Sequence, residues 1–362
     1  MMIALFMLIP LAGLAYTLWH IWCVLPFTPV IKGSILALLT ICFLLLFVGV
    51  MPLFERIPLS LGTWIYEIGT SSVIVLLYLV LIFALLDVGR LVGLVPKSWL
   101  YHNGTTSLLL LVFMSVLLIY GHVNYSKKHR ESIELTTKKQ LPNHEMRIVM
   151  VSDLHLGYHH RRATLAKWID LINGENPDMV LIAGDVIDGG MQALFEENMA
   201  EEWKRVKAPV FAVLGNHEYM AGLEQSMRFY RDAGICLLRD SVANIGSLAI
   251  IGRDDRTNPH RKNLRKLMQG VDKSRYLILL DHQPHHLEQA EMNGIDFQFS
   301  GHTHRGQVWP ISLITDNVYE VSYGSYRKGH TQYYVSSGLG LWGGKYRIGT
   351  RSEYVVVTLK EA

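Results

Sequence analysis

Cysteine is scarce. Three occur in 362 residues, Cys23, Cys42 and Cys236, far apart and without metal-ligand spacing. The pattern argues against a disulfide framework and for small buried hydrophobes. Charge is scarce as well, at 18% of the chain, and unevenly spread: residues 1–125 carry only Lys32, Arg56, Arg90 and Lys97 as bases and Glu55, Glu67 and Asp87 as acids. The formal net charge of +3 comes without a long basic run, which argues against a nucleic-acid partner. A basic n-region is missing from the start, and no small-residue cleavage site follows the first apolar run, so a cleaved signal peptide fits badly. Hydrophobic residues make up 50% of the chain, and its length allows more than one domain.

The nearly uncharged first third reads as membrane-spanning. Four apolar segments, at 3–25, 34–54, 71–95 and 105–125, each approach the roughly 20 residues that a helix needs to cross a bilayer. Trp19, His20 and Trp22 close the first segment and Trp99 and Tyr101 precede the fourth, the placement of interfacial aromatics. Asp87 and Arg90, one helical turn apart, read as a pair at the end of the third, with Arg90 reaching for the interface. Lys127, Lys128 and Arg130 follow the fourth segment, with Lys138 and Lys139 a little further on. With an even number of spans these bases share a side with the N-terminus and Arg56, opposite Lys32 and Lys97. The positive-inside bias then places the remaining chain in the cytoplasm, anchored to the cell (inner) membrane. Residues 126–146 read as a polar juxtamembrane linker whose bases meet lipid head groups or solvent, and 147–362 as a separate domain.

In that domain short, continuously apolar runs alternate with helical patterns. Residues 147–152, 179–183, 209–214, 276–280 and 297–300 read as strands buried on both faces. A helix over 164–173 carries Leu165, Trp168, Ile169 and Ile172 on one face, and 191–206, 221–233 and 261–270 are further helices. Residues 235–238, 241–245 and 248–252 read as more antiparallel strands, and 333–336 and 354–359 as strands in the tail. The expected fold is a four-helix transmembrane region followed by an α/β domain, a layered α-β-β-α sandwich.

Acids and imidazoles collect where these strands end. Asp153-Leu154-His155 follows the first, Gly184-Asp185-Val186-Ile187-Asp188 the second and Gly215-Asn216-His217-Glu218 the third. Asp281-His282 follows another, and Ser300-Gly301-His302-Thr303-His304-Arg305-Gly306 the last. Open α/β sheets place their sites at such strand ends. Hard oxygen and imidazole donors together suit Mn, Fe or Zn. A phosphoester hydrolase faces a poor nucleophile and an anionic electrophile, and a pair of metal ions addresses both.

In this order the blocks resemble the calcineurin-like metallophosphoesterase superfamily, over about residue 147 to the C-terminus. The resemblance implies that Asp153, His155 and His304 hold one metal, that Asp185 bridges, and that Asn216, His282 and His302 hold the second. It implies that His217 meets the phosphate and serves the leaving oxygen rather than a metal. Ser-Asp-Leu-His-Leu-Gly at 152–157 and Val-Ser-Ser-Gly-Leu-Gly at 335–340 are similar to the membrane-anchored branch, whose members include enzymes acting on the UDP-diacylglucosamine intermediate of lipid A synthesis. That branch has a second glycine after the His-x-His pair, where this chain has Arg305. Arg305 either clamps a phosphate or diphosphate bidentately or points outward. Asp188 reads as an acid that orients a ligand. Glu218 stands behind the site. His159, His160, His285 and His286 read as exposed histidines near its mouth, and Arg161, Arg162, Arg253, Lys345 and Arg347 as substrate-anion candidates.

The reading is a membrane-anchored, metal-dependent phosphoesterase with two divalent ions, Mn favoured and Fe or Zn allowed. A phosphorylated, lipid-linked small molecule is the natural substrate class, since four spans are a costly tether for an enzyme of soluble substrates. Two alternatives stay open: a phosphodiesterase of soluble or cyclic nucleotides, and a metal-binding membrane scaffold or sensor without catalysis. A transporter fits poorly, because the spans carry almost no paired polar residues.

Overall fold

The computed structural model describes residues 2–49, 51, 54–141 and 144–362, and of residues 2–7 the backbone alone. Residues 50, 52 and 53 of the second expected span and 142–143 of the expected linker lie outside the described residues. The chain divides into two compact units, Met1–Val123 with Gly343–Tyr346, and Asn124–Trp342 with Arg347–Ala362.

The first unit holds helices α1 (Met2–Val24), α2 (Pro29–Val48) and α3 (Leu59–Leu91), and α4 (Gly104–Ser126) up to Val123, the last residues of α4 belonging to the second unit. The last three are long and apolar enough to cross a membrane, while in α1 the apolar stretch among described side chains is Leu8–Val24. Leu108, Leu109, Leu111, Val112, Phe113, Val116 and Ile119 of α4 all point outward. An apolar face of that extent suits lipid rather than water. Asp87 does not simply pair with Arg90, as its spacing suggested. Its Oδ2 accepts from the Tyr16 hydroxyl at 2.8 Å and lies 3.0 Å from Nε2 of His20, so α3 finds its polar partners on α1.

The second unit alternates strands and helices. In chain order it runs β1 (Lys128–Thr137), β2 (Glu145–Val151), α5 (Arg162–Gly174), β3 (Met179–Ala183), α6 (Gln192–Glu196), α7 (Met199–Trp203), β4 (Val210–Val213), α8 (Asn216–Met220) and α9 (Leu223–Asp232). It continues with β5 (Cys236–Leu237), β6 (Ser241–Ile245), β7 (Leu248–Gly252), α10 (Leu264–Leu267), β8 (Tyr276–Leu280), α11 (Glu288–Asn293) and β9 (Phe297–Ser300). Last come α12 (Ile311–Val318), β10 (Gly324–Lys328), β11 (Thr331–Val335) and β12 (Ser352–Glu361). Two six-stranded mixed sheets result, ordered β1-β12-β2-β3-β4-β5 and β10-β11-β9-β8-β7-β6. Met150, Leu181 and Val357 of one sheet and Ile250, Ile278 and Phe299 of the other share one buried cluster, the core of the sandwich. Alternate residues point to opposite faces of a strand. Leu277 and Leu279 accordingly turn outward and are covered by Leu264 and Leu267 of α10 and by Ala290 of α11. Both faces being covered, the central strands read as continuous apolar runs.

Several expectations need correcting. The stretch 126–146 is not a linker: β1 pairs in parallel with β12 over ten residues, Lys128 opposite Ser352 through Thr137 opposite Glu361. The single helix expected over 191–206 is broken into α6 and α7 by Asn198, which takes φ 50°. The second and third of the three short strands pair antiparallel, β6 with β7, while β5 joins the other sheet parallel to β4.

Leu135 of β1 is 1% exposed and belongs to the central core. Leu135→Ala should lower the unfolding free energy by about 2–4 kcal/mol, read as chemical denaturation of the purified full chain in detergent. A residue in a solvated linker would show no change.

Candidate active site

Five loops at strand ends form the site. Those after β2, β3 and β4 come from adjacent strands of one sheet, and those after β8 and β9 from adjacent strands of the other. The first two are joined by main-chain bonds, Asp153 N–H to Gly184 O at 3.0 Å, His155 N–H to Asp185 O at 3.0 Å and Asp188 N–H to Leu156 O at 3.0 Å. Gly301 N–H to His282 O at 2.9 Å joins the last two. Across the sheets, His302 N–H donates to the Asp153 carboxylate at 3.0 Å. His282 Nδ1 lies 2.7 Å from Ala183 O. A carbonyl only accepts, so Nδ1 carries the proton and Nε2 faces the site.

Three overlapping groups arise: Asp153, His155 and His304; Asp185, His282 and His302; and His155, Asp185 and His217. Within each, one donor atom per residue lies within 4.8 Å of the others. Asp185 Oδ2 is 3.1 Å from His282 Nε2 and 3.8 Å from His155 Nε2, and so faces both of the first two groups. His155 Nε2 and His304 Nε2 are 3.1 Å apart, and His304 Nε2 is 3.4 Å from Asp153 Oδ1. Asn216 Oδ1 is buried without a hydrogen-bond partner, as is His282 Nε2. Orphaned oxygen and nitrogen donors beside a buried carboxylate fit a divalent cation, and the oxygen and imidazole set fits the harder transition metals.

Burial pushes the His302 imidazole down to about 4, with His282 adding to the shift, and burial together with His155 pushes His304 well down. Both are therefore neutral, the state in which imidazole binds metal. For Asp185, burial pushes the carboxyl up, but His282 and His217 outweigh it and hold it well below the usual range. Burial likewise pulls His282 down, and Asp185 reverses that. Each of the two thus favours the charged form of the other.

His217 sits at the more open edge, its side chain 16% exposed. Burial lowers its pKa, but Asp185 and then Asp188 raise it to about 9. Asp188 Oδ1 lies between two rings, 3.3 Å from His217 Nδ1 and 3.4 Å from His155 Nδ1. Arg305 is half-buried, its guanidinium carbon 4.8 Å over the Tyr323 ring. The remaining basic candidates have partners within the chain: exposed Arg162 and half-buried Arg161 bond Glu202 and Glu197, half-buried Lys345 bonds Glu67, and buried Arg253 and Arg347 bond Asp281 and main-chain carbonyls. His286 is exposed and His285 half-buried, but His159 and His160 are buried, against expectation.

Glu218 holds the loops together. Fully buried, it accepts from the main-chain N–H groups of Asp185 (3.2 Å), Ile187 (3.0 Å) and Gly215 (2.6 Å) and from the Tyr230 hydroxyl (3.0 Å). Its place directly after His217 was a signal, but Tyr230 and the main-chain donors have none in the sequence. Gly215 and Gly301 allow close approach: a Cβ on Gly215 would strike the Asp185 carboxylate, and one on Gly301 the Asp153 carboxylate.

Comparison with known proteins agrees with this geometry and identifies the class. The calcineurin-like phosphoesterase family matches residues 146–306. An uncharacterized metallophosphoesterase of Campylobacter jejuni is 32% identical over 257 residues, 68% of this chain and 68% of that one. One of Aquifex aeolicus is 31% identical over 68% of this chain and 98% of its own length. A transmembrane protein with a metallophosphoesterase domain from Danio rerio is 32% identical over 68% of this chain and 61% of that one. Among solved structures, the NAD nucleotidase of Haemophilus influenzae aligns with a TM-score of 0.37 at 19% identity, over 55% of this chain and 46% of that one. The chain belongs to the calcineurin-like phosphoesterase family. It is a metal-dependent phosphoesterase that uses divalent ions.

Glu218→Ala would leave three main-chain donors and one phenol buried without an acceptor. It should cost roughly 3 kcal/mol or more, seen as a lower melting temperature of the full chain in detergent. An unchanged melting temperature would remove Glu218 from this role.

Proposed function

We propose that this protein is a membrane-anchored phosphohydrolase with a two-metal centre, acting on an amphiphilic, lipid-linked phosphoester or pyrophosphate. The observation that carries the two-metal reading is Asp185 Oδ2, which faces His282 Nε2 at 3.1 Å and His155 Nε2 at 3.8 Å from between two donor groups. Asp153, His155 and His304 would hold one ion and Asn216, His282 and His302 the other, with Asp185 shared. Two ions so held would lower the pKa of a water and neutralise charge on phosphoryl oxygens. Mixed oxygen and nitrogen ligation favours Mn, with Fe or Zn permitted. His217, protonated and at the open edge, gives its proton to the leaving oxygen. Asp188 orients His155 and His217. Arg305 is a substrate-side residue, its guanidinium presented from the face of Tyr323.

The anchor is taken to be four spans, α1 with the three longer helices. The bases at Lys127, Lys128 and Arg130 support an enzyme domain on the cytoplasmic side of the cell membrane, by the positive-inside bias. Support for an amphiphilic substrate comes from the segment just beyond the His-x-His pair. Trp309, Leu313, Ile314 and Val318, on and just before α12, are each more than half exposed, a small apolar face a few residues from His304 and Arg305. Such a face suits the acyl part of a lipid.

Two experiments test this reading. Purified full-length protein in detergent with Mn²⁺ should hydrolyse UDP-diacylglucosamine or a similar lipid diphosphate. Chelation should abolish turnover, and His217→Ala should lower kcat by about 10²–10⁴-fold. Turnover of cyclic nucleotides with none of the lipid would sink the lipid assignment, and phosphatase activity indifferent to Asp185→Asn would sink the site. Second, the double variant Trp309→Ser with Ile314→Ser should raise KM several-fold for the lipid while sparing a soluble aryl phosphate. Equal effects on both would remove α12 from substrate binding.

A further inference from the structure

The last turn of α4 carries two consecutive residues with inward partners, Asn124 and Tyr125. Tyr125 is buried, and its hydroxyl lies 2.6 Å from Nε2 of His160. His160, itself fully buried, places Nδ1 2.9 Å from the main-chain oxygen of His155. That carbonyl only accepts, so Nδ1 of His160 carries the ring proton, and Nε2 is left to accept from the phenol. Every group in the chain Tyr125–His160–His155 is then satisfied in one tautomer.

Asn124 makes the second connection. Its Nδ2 donates to the main-chain oxygens of Arg347 (2.9 Å) and Thr350 (2.8 Å). Arg347 is fully buried, and its Nη1 donates to the main-chain oxygen of His304 at 2.8 Å. Its Nη2 donates to Ser337 O at 2.5 Å and Gly340 O at 3.0 Å. Each of the two histidines grouped with Asp153 is thus held at its own carbonyl by a buried side chain, and each holder is fastened to the end of α4. Both histidines need holding, because His155 takes φ 49° and His304 φ 47°, left-handed conformations that side chains other than glycine adopt at a cost. The group around Asp185 is supported differently: His282 rests on Ala183 O at the end of β3.

We propose that Asn124 and Tyr125 are positioning residues for one half of the metal centre, the half built from Asp153, His155 and His304, acting through Arg347 and His160. The inference rests on the reading of those three residues as metal ligands. Neither Asn124 nor Tyr125 touches the reacting atoms. Removing the phenol takes away the donor that fixes Nε2 of His160 as an acceptor and lets the ring change tautomer, so the His155 carbonyl loses its donor and the imidazole its fixed direction. Removing the Asn124 amide unfastens the 347–350 segment that presents Arg347 to His304.

The test is a Mn²⁺ titration of the metal-stripped full-length chain in detergent, monitored by equilibrium dialysis and by electron paramagnetic resonance. The wild type should take up two ions and show a spin-coupled pair. Tyr125→Phe and Asn124→Ala should each bind one ion with wild-type affinity and require about tenfold more Mn²⁺ for the other, the scale found for groups that orient metal ligands. At Mn²⁺ levels that couple the wild type, they should show an isolated ion. Tyr333→Phe is the control: it removes an equally buried phenol bond, to Leu287 O at 2.8 Å, and should lower stability without changing either affinity. Two wild-type affinities and a coupled signal in Tyr125→Phe and Asn124→Ala would overturn the inference alone, whatever their melting temperatures. Equal weakening of both ions would also overturn it, since that is general loosening. A wild type that binds fewer than two ions would overturn the two-metal reading, and this inference with it.

Discussion

The constraint on which the site depends is the burial of Asp185, 1% exposed and with imidazoles rather than Lys or Arg as its charged neighbours. Taking a carboxylate out of water costs several kcal/mol unless cations and donors offset it. Here the compensation is partial by construction. His217 N–H donates to Oδ1 at 3.0 Å, and Oδ2 is left facing His282 and His155. Positive charge must come from those rings or from ions, and the nearby His302 and His304 are too buried to supply it as protons. The surroundings are consequences of holding one carboxylate in that position. Glu218 fixes the main chain beneath it, and Gly215 leaves room beside it.

That arrangement is strained. Asp153, His155, Asp185, His302, His304 and Arg305 all adopt positive φ without being glycine. Each such residue costs of order 1–3 kcal/mol, so the set would relax unless the surroundings over-determined it. They do. Main-chain bonds lock the β2 loop to the β3 loop and the β8 loop to the β9 loop, the His302 amide ties one sheet to the other, and the two strand sets share one core. The strain lies where the donors converge, and the packing that offsets it lies in strands with no chemical role.

Much of this was legible because the chemistry is local in sequence. Each donor comes within a few residues of the end of an apolar strand, often beside a glycine, so a strand-by-strand reading collects Asp153, His155, Asp185, Asn216, His282, His302 and His304 as candidates, and the family resemblance gives them roles. The features that escaped depend on distant partners. β1 hid as a linker because only Ile133 and Leu135 are apolar in Lys128–Thr137, and its partner β12 lies more than two hundred residues away. His160 looked exposed beside Arg161 and Arg162, but its environment is set by Tyr125 and by the carbonyl of His155. Arg347 looked like a substrate anchor, since nothing local shows that carbonyls from residues 304, 337 and 340 converge on it. Asp87 was matched to the charge one turn away rather than to Tyr16 and His20 of another helix.

These misreadings share a cause with the asymmetry of the site. The group around Asp185 is supported from within the motif segments: His282 by Ala183, and the Asp185 loop by Glu218. The group around Asp153 shares such bonds, through Gly184 O, Asp185 O and the His302 amide, and has further support from outside the motifs, from Asn124 and Tyr125 before the domain's first strand and from Arg347 after its last motif. On the proposed reading, the Asp153 half depends on the end of α4 and on the 347–350 segment. Joining α4 to β1 with a single residue between them suits that requirement, because a long flexible linker would let the last turn wander from the groups it holds.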